Sequence, residues 1–218
     1  MLDRRFDDLQ APDDFPLAIL AKAPLLGRVK TRLIPYLGEQ DAAQLHEQLL
    51  RQTLVVALKA TSAERIVLWT ALDHAHPLFL ELAEHHGIAL LPQPEGDLGL
   101  RIHHALLSMP GPGLVIGSDC PVLSPALLSH CWGALQNADG VFLPAQDGGY
   151  ALVGTHHSNI RLFENIDWGT EHVMSQTRQR AQELDWDIVC PAEVWDVDRP
   201  EDVERWVLSC KEPPNGYA

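Results

Sequence analysis

Nothing in this 218-residue chain has the spacing of a zinc knuckle or a disulfide framework. Its four cysteines, Cys120, Cys131, Cys190 and Cys210, form no C-x-x-C pair and keep no fixed interval. That usage suits a reducing compartment, and a cytoplasmic location is expected. No apolar run approaches the roughly 18 residues that a membrane helix requires. The opening MLDRRFDDLQAPDDF is polar and acidic and lacks the apolar stretch of a signal peptide. A surplus of positive charge is also missing. Lys and Arg number 16 against 30 Asp and Glu, a formal net charge of −14. Such a surface repels a nucleic-acid backbone, so neither a DNA nor an RNA partner is expected. The P-loop string GxxxxGK[ST] and the dinucleotide string GxGxxG are both absent. Eleven histidines occur, yet none forms HExxH or HxxxH, so no histidine-based zinc site is expected.

What the chain does have is apolar content, 46% of its residues, arranged in short runs. Runs at 16–22, 65–70, 88–91, 114–118, 140–143, 150–154 and 187–190 read as strands. Helical intervals fall at 39–60, 77–86, 98–109, 125–136, 171–184 and 200–209. Strands alternating with helices predict an α/β protein with a mostly parallel sheet covered on both faces. No repeat or linker interrupts the pattern. The expected organisation is a polar tail over 1–15, one domain over 16–210 and a short tail over 211–218. The sequence does not indicate an oligomeric state.

In such sheets ligands bind beyond the carboxyl ends of the strands. The stretch GLVIGSDCP ends a candidate central strand by placing Asp119 in that position. A carboxylate there is suited to a divalent cation. The alternative, a cap for the next helix, is better met by Ser124 ahead of Pro125. KAPLLGRVKTRL follows the first strand and gathers Lys22, Arg28, Lys30 and Arg32 around Gly27. Gly27 permits close backbone approach, and the cations suit phosphate oxygens. A solvated basic loop is the plainer alternative.

Asp196 and Asp198 are two apart, so on an extended segment they share one face. They are candidate partners of Asp119 around a metal; alternatively Asp198 caps the helix that begins near Pro200. Asp147, Gly148, Gly149 and Tyr150 read as a hairpin turn, with Asp147 and Tyr150 able to face an acceptor. Gly96 and Asp97 open a helix. They read either as an ordinary N-cap or as a helix start near a nucleotide base or phosphate. Trp168, Trp186, Trp195 and Trp206 read as core or rim packing.

The set KAPLLGRVKTRL, GDLGxR, GSDCP, DGGYALVG, WGTEHV and DVDRPEDV resembles a bacterial family of glycosyltransferase-A-like proteins. That family is labelled radical-SAM/selenodomain-associated transferases and was long held as a domain of unknown function. The resemblance runs from about Leu17 to Val207. It places the chain in the nucleotide-diphospho-sugar transferase superfamily, with molybdenum-cofactor and phospholactate guanylyltransferases as distant kin. It implies a single-domain Rossmann-like three-layer α/β/α sandwich with a mostly parallel mixed sheet. It further implies a transferase using an NTP or a nucleotide-sugar together with a small-molecule acceptor and Mg²⁺ or Mn²⁺. On this likeness Arg28, Lys30 and Arg32 meet the phosphates, and Asp119, Asp196 and Asp198 hold the metal. Lys30 and Asp119 are then the catalytic candidates, and 147–150 line the acceptor pocket. The first loop departs from the LAGGxSxRMG-x-x-K string common among nucleotidyltransferases. Nucleotidyl transfer is the leading expectation; glycosyl transfer and a non-catalytic nucleotide sensor are the alternatives.

Overall fold

The structure is a computed structural model and describes residues 14–211. Seven strands form one sheet: β1 (Leu17–Lys22), β2 (Ile66–Ala71), β3 (Ala89–Pro92), β4 (Gly113–Ile116), β5 (Gly140–Pro144), β6 (Tyr150–Thr155) and β7 (Ile188–Val189). Their spatial order is β3-β2-β1-β4-β6-β5-β7. The pairs β3/β2, β2/β1, β1/β4 and β5/β7 are parallel, whereas β6 runs antiparallel to both β4 and β5. The expected mixed, mostly parallel sheet is therefore present. β6 reverses direction because Asp147 to Gly149 close a tight hairpin after β5.

Six helices cover the sheet: α1 (Ile34–Ala60), α2 (Pro77–His86), α3 (Leu98–Leu107), α4 (Pro125–Leu135), α5 (Val173–Glu183) and α6 (Pro200–Lys211). Gly38, at φ 81°, breaks α1, so its regular course begins at residue 39. Beyond that break Ala42, Leu45, Leu49, Thr53 and Ala57 are buried at helical spacing along one stripe. Among the described residues no helix is long and apolar enough to cross a membrane.

Neighbouring strand residues feed opposite faces of the sheet. Ile19, Ile116, Leu143 and Leu152 join one core with Leu54, Phe79 and Leu128. Ala18, Val115, Phe142 and Val153 join the other with Trp69, Ile102 and Phe163. Truncating one of these buried leucines to alanine removes about 2–5 kcal/mol. Trp168 and Trp186 pack on the second core, and Trp195 and Trp206 on a third cluster with Leu33, Leu45 and Leu49.

Most element ends differ from the sequence reading by a residue or two, and three differences bear on the packing. β3 begins at Ala89 rather than Ile88 and lies at a mostly exposed edge. β7 is only two residues long, because Val189 is the last to find a partner on β5. The tail drawn to residue 15 reaches into packed structure. Phe15 is fully buried and stacks on Trp132, and Asp14 accepts hydrogen bonds from Ser62 and Arg65. Residues 1–13 and 212–218 lie outside the described residues.

The strand order turns at β1. From there the chain builds outward through β2 and β3, then returns to place β4 on the other side. The crevice beyond the carboxyl ends of β1 and β4 is thus the expected ligand position.

Candidate active site

A cleft of about 680 Å³ occupies that crevice, within the ~300–1,000 Å³ typical of small-molecule sites. Of the candidate site residues, Lys22, Arg28, Lys30, Arg32, Gly96, Asp119, Asp147, Gly149, Tyr150, Asp196 and Asp198 line it. Gly27, Asp97 and Gly148 do not.

The loop after β1 shapes the floor. Gly27 turns it at φ 69°, and Arg28 N–H donates to Leu25 O at 3.0 Å. Lys30 is left-handed at φ 47°, a conformation costly for a side-chain-bearing residue. Its ammonium offsets that strain. Nζ donates to Val197 O at 2.7 Å, lies 2.9 Å from Asp119 Oδ1, and lies 3.2 Å from Asp198 Oδ1. The side chain is only 3% exposed. Burial pulls the Lys30 pKa down, but the two carboxylates outweigh it and the net direction is up. Lys30 is therefore an internal strut between the loop and the carboxylates. Lys22, Arg28 and Arg32 are the exposed cations of this wall, Arg32 leaning on Asp198 at 3.4 Å.

Asp119 follows β4 and is free of capping duty: Ser124 Oγ accepts from Leu127 N–H instead. Its backbone carbonyl accepts from Val197 N–H at 3.0 Å, which draws the 194–198 segment against the tip of β4. Along that segment Val194, Trp195 and Val197 turn inward, and Asp196 and Asp198 face the cleft. Asp198 does not cap α6. Asp202 Oδ2 reaches back to the N–H groups of Asp198 and Arg199, leaving the Asp198 carboxylate to Lys30 and Arg32.

The two carboxylates nearest the floor titrate in opposite directions. For Asp119, burial raises the pKa, but the Lys30 ammonium and His46 prevail and hold it well below the carboxylate range. For Asp196, burial dominates, the charges of Asp119, Asp147 and Asp198 add to it, and the pKa rises to about 7. Asp196 Oδ1 is buried without a hydrogen-bond partner. Among the described residues no three His, Cys, Asp or Glu side chains stand ready to enclose a metal ion. The cation among these aspartates is the Lys30 ammonium. The residues nevertheless suit a divalent ion: oxygen donors converge from two segments, and one donor atom has no other partner.

The remaining walls come from α3 and the β5–β6 hairpin. Gln93 Nε2 donates to Ala21 O and Trp69 O, and its Oε1 accepts from Arg101 Nη1 at 3.3 Å. Asp97 is the N-cap of α3, accepting from Leu100 N–H at 2.8 Å, and points away from the cleft. Asp147 Oδ1 accepts from Gly149 N–H at 2.9 Å, fixing the hairpin turn. Gly148, at φ 89°, lies against the backbone of Glu171, where a Cβ would collide. Tyr150 sits edge-on to Phe142 and Trp168, and burial pushes its pKa up.

Sequence reasoning missed His46 and Gln93, and it gave no separate role to Arg101, the last residue of the GDLGxR string. His46 is on the buried stripe of α1, where a histidine passes for core. Gln93 and Arg101 sit beside the GDLG string, and only the turn after β3 brings them together.

The open, mostly parallel sheet with its crevice at the strand ends is a Rossmann-like α/β fold that solved transferase structures share. The chain belongs to the family described as an uncharacterized protein conserved in bacteria (DUF2064), whose profile matches residues 50–170. This agrees with the resemblance drawn from the motifs. A candidate nucleotide-diphospho-sugar transferase from Desulfovibrio desulfuricans G20 is similar, at 24% identity and a TM-score of 0.80, over 91% of this chain and 88% of that one. CMP:2-keto-3-deoxy-manno-octonic acid synthetase, complexed with CTP, shares 11% identity at a TM-score of 0.59, over 92% and 100%. Rv0371c from Mycobacterium tuberculosis H37Rv, in complex with manganese, shares 15% identity at 0.53, over 89% and 99%. No curated protein matches the chain. These likenesses establish the fold.

Proposed function

We propose that this protein is a metal-dependent transferase that moves a nucleotidyl group from an NTP to a small anionic acceptor and releases pyrophosphate. The observation that carries the reading is the convergence of Asp119, Asp196 and Asp198 at the strand tips, facing a loop edged by exposed Lys22, Arg28 and Arg32. The CTP and manganese complexes of the fold relatives support it.

An acceptor phosphate or carboxylate is already ionised at neutral pH and needs no strong base. Its oxygen forms a bond to the α-phosphorus, the bond from that phosphorus to the bridging oxygen breaks, and the electron pair leaves with pyrophosphate. The loop cations neutralise the polyphosphate and hold it in line. Asp119, Asp196 and Asp198 would hold Mg²⁺ or Mn²⁺, which supplies charge neutralisation at the reacting phosphate. Lys30 keeps Asp119 ionised and the loop closed against 197–198. Gly149 and Tyr150 form the wall against which the acceptor rests.

A second reading, glycosyl transfer from a nucleotide-sugar, draws on the exposed Asp147 carboxylate on the cleft wall, placed to accept a proton from a hydroxyl acceptor. Incubating the protein with NTPs and nucleotide-sugars, Mg²⁺ or Mn²⁺ and pooled phosphorylated metabolites separates the two. Pyrophosphate release is the expected result, and release of a nucleoside diphosphate instead would favour glycosyl transfer. Release of neither would count against both.

A further inference from the structure

His46 is a buried polar side chain that the proposed reaction leaves without a task. It is 4% exposed, sits on the core stripe of α1, and lines the floor of the cleft. Its Nε2 lies 2.9 Å from Lys22 O at the end of β1. A carbonyl only accepts, so Nε2 carries a hydrogen. The other nitrogen, Nδ1, is buried without a hydrogen-bond partner. It faces Asp119 Oδ1 across 3.5 Å.

A ring held this way turns its Nδ1 toward a carboxylate oxygen. Both atoms are buried, and each is of a type that ligates divalent ions. Ligating histidines characteristically donate their other ring N–H to a backbone carbonyl, the contact His46 makes with Lys22. Bonds of about 2.0–2.2 Å from nitrogen and oxygen to one divalent ion leave the two donors roughly 3.0–3.5 Å apart. The observed spacing falls in that interval. Lys30 retains Val197 O and Asp198 as partners if Asp119 turns toward an ion.

We propose that His46 Nδ1 is a ligand of the divalent ion, beside Asp119, and that the site therefore favours a transition cation such as Mn²⁺ over Mg²⁺. Magnesium prefers an all-oxygen shell, whereas imidazole nitrogen suits the later metals. The inference rests on the metal-dependent reading above.

The test is pulsed electron paramagnetic resonance of the full chain with Mn²⁺ alone. The expected spectrum shows nitrogen hyperfine coupling from a directly bound imidazole, changed in pattern when the protein carries ¹⁵N-histidine. In His46→Gln the coupling disappears and the Mn²⁺ dissociation constant rises at least about tenfold, while that of Mg²⁺ moves less. Because the wild-type isotope comparison needs no variant, the result does not depend on His46→Gln folding well. Mn²⁺ bound without nitrogen coupling, or with coupling that survives in His46→Gln, overturns the assignment and leaves the transferase reading standing. Absence of any Mn²⁺ binding, with or without nucleotide, overturns both.

Discussion

Lys30 Nζ stands 2.9 Å from Asp119 Oδ1, tying the loop after β1 to the tip of β4 across the floor of the cleft. Replacing it by methionine takes the ammonium from Asp119 and leaves Asp198 with Arg32 alone. A fully buried pair broken in this way loses about 3–5 kcal/mol. Here the carboxylates of Asp119 and Asp198 are 41% and 35% exposed, so water recovers part of the loss and about 1–3 kcal/mol is expected. The folded-state pKa of Lys30 is raised, so its contribution is complete below the unfolded value of about 10.4 and fades as pH rises through the folded value. Urea titrations of wild type and Lys30→Met should therefore differ at pH 8 and converge at strongly alkaline pH. Equal stability at pH 8 would contradict the strut.

Asp196 shows a linkage of the same sign in a lower pH window. Its folded pKa of about 7 lies above the unfolded value of about 3.9. The folded state then binds the extra proton, and stability falls as pH rises between those values. In chelator-treated buffer Asp196→Asn removes that decline. Its advantage over wild type should grow from pH 4 to pH 8 and reach on the order of 1–3 kcal/mol, discounted for solvent access. Added Mg²⁺ or Mn²⁺ should narrow the gap by stabilising wild type. A variant less stable than wild type at pH 8 without metal would refute the assignment.

Gly148 tests the acceptor wall. Gly148→Ala forces a Cβ into the Glu171 backbone at φ 89°, and it disturbs the 2.8 Å bond from Met174 N–H to Gly148 O. The expected loss is about 2–4 kcal/mol. Gly87, at φ 69° with open space around it, is the control: Gly87→Ala should lose only about 1 kcal/mol. Comparable losses at the two positions would show that the contact with Glu171 is unimportant.

Asp97 separates capping from ligand binding. Asp97→Ala removes the N-cap of α3 and should lower stability by about 1 kcal/mol. Nucleotide affinity, measured by calorimetry, should stay within about twofold, because the side chain lies outside the cleft. A tenfold loss of affinity would restore Asp97 to the site.

Much of this architecture was legible because burial on both faces of a parallel sheet leaves short apolar runs such as Leu114 to Ile116, and because the wide stripe of α1 repeats at helical spacing. Asp119 could be singled out since Ser124 and Pro125 already supply the start of α4. The clustering of Asp119 with Asp196 and Asp198 followed from position and resemblance, and the Val197–Asp119 backbone bond gives it a physical basis. What stayed hidden depended on chain reversals. The left-handed turn at Lys30 sends that side chain inward rather than toward solvent. The cap from Asp202 frees Asp198, although spacing favoured Asp198 itself. His46 and Gln93 carry no local signature, because their partners are backbone carbonyls on strands distant in sequence.

The most direct measurement of the central claim is calorimetric titration of GTP, CTP, ATP and UTP into wild type and Asp119→Asn, with Mg²⁺ and with chelator. At least one nucleotide should bind wild type in a metal-dependent manner, and Asp119→Asn should weaken that binding at least about tenfold while still melting cooperatively. Nucleotide binding indifferent to metal, or a folded Asp119→Asn protein that binds as wild type does, would contradict the account.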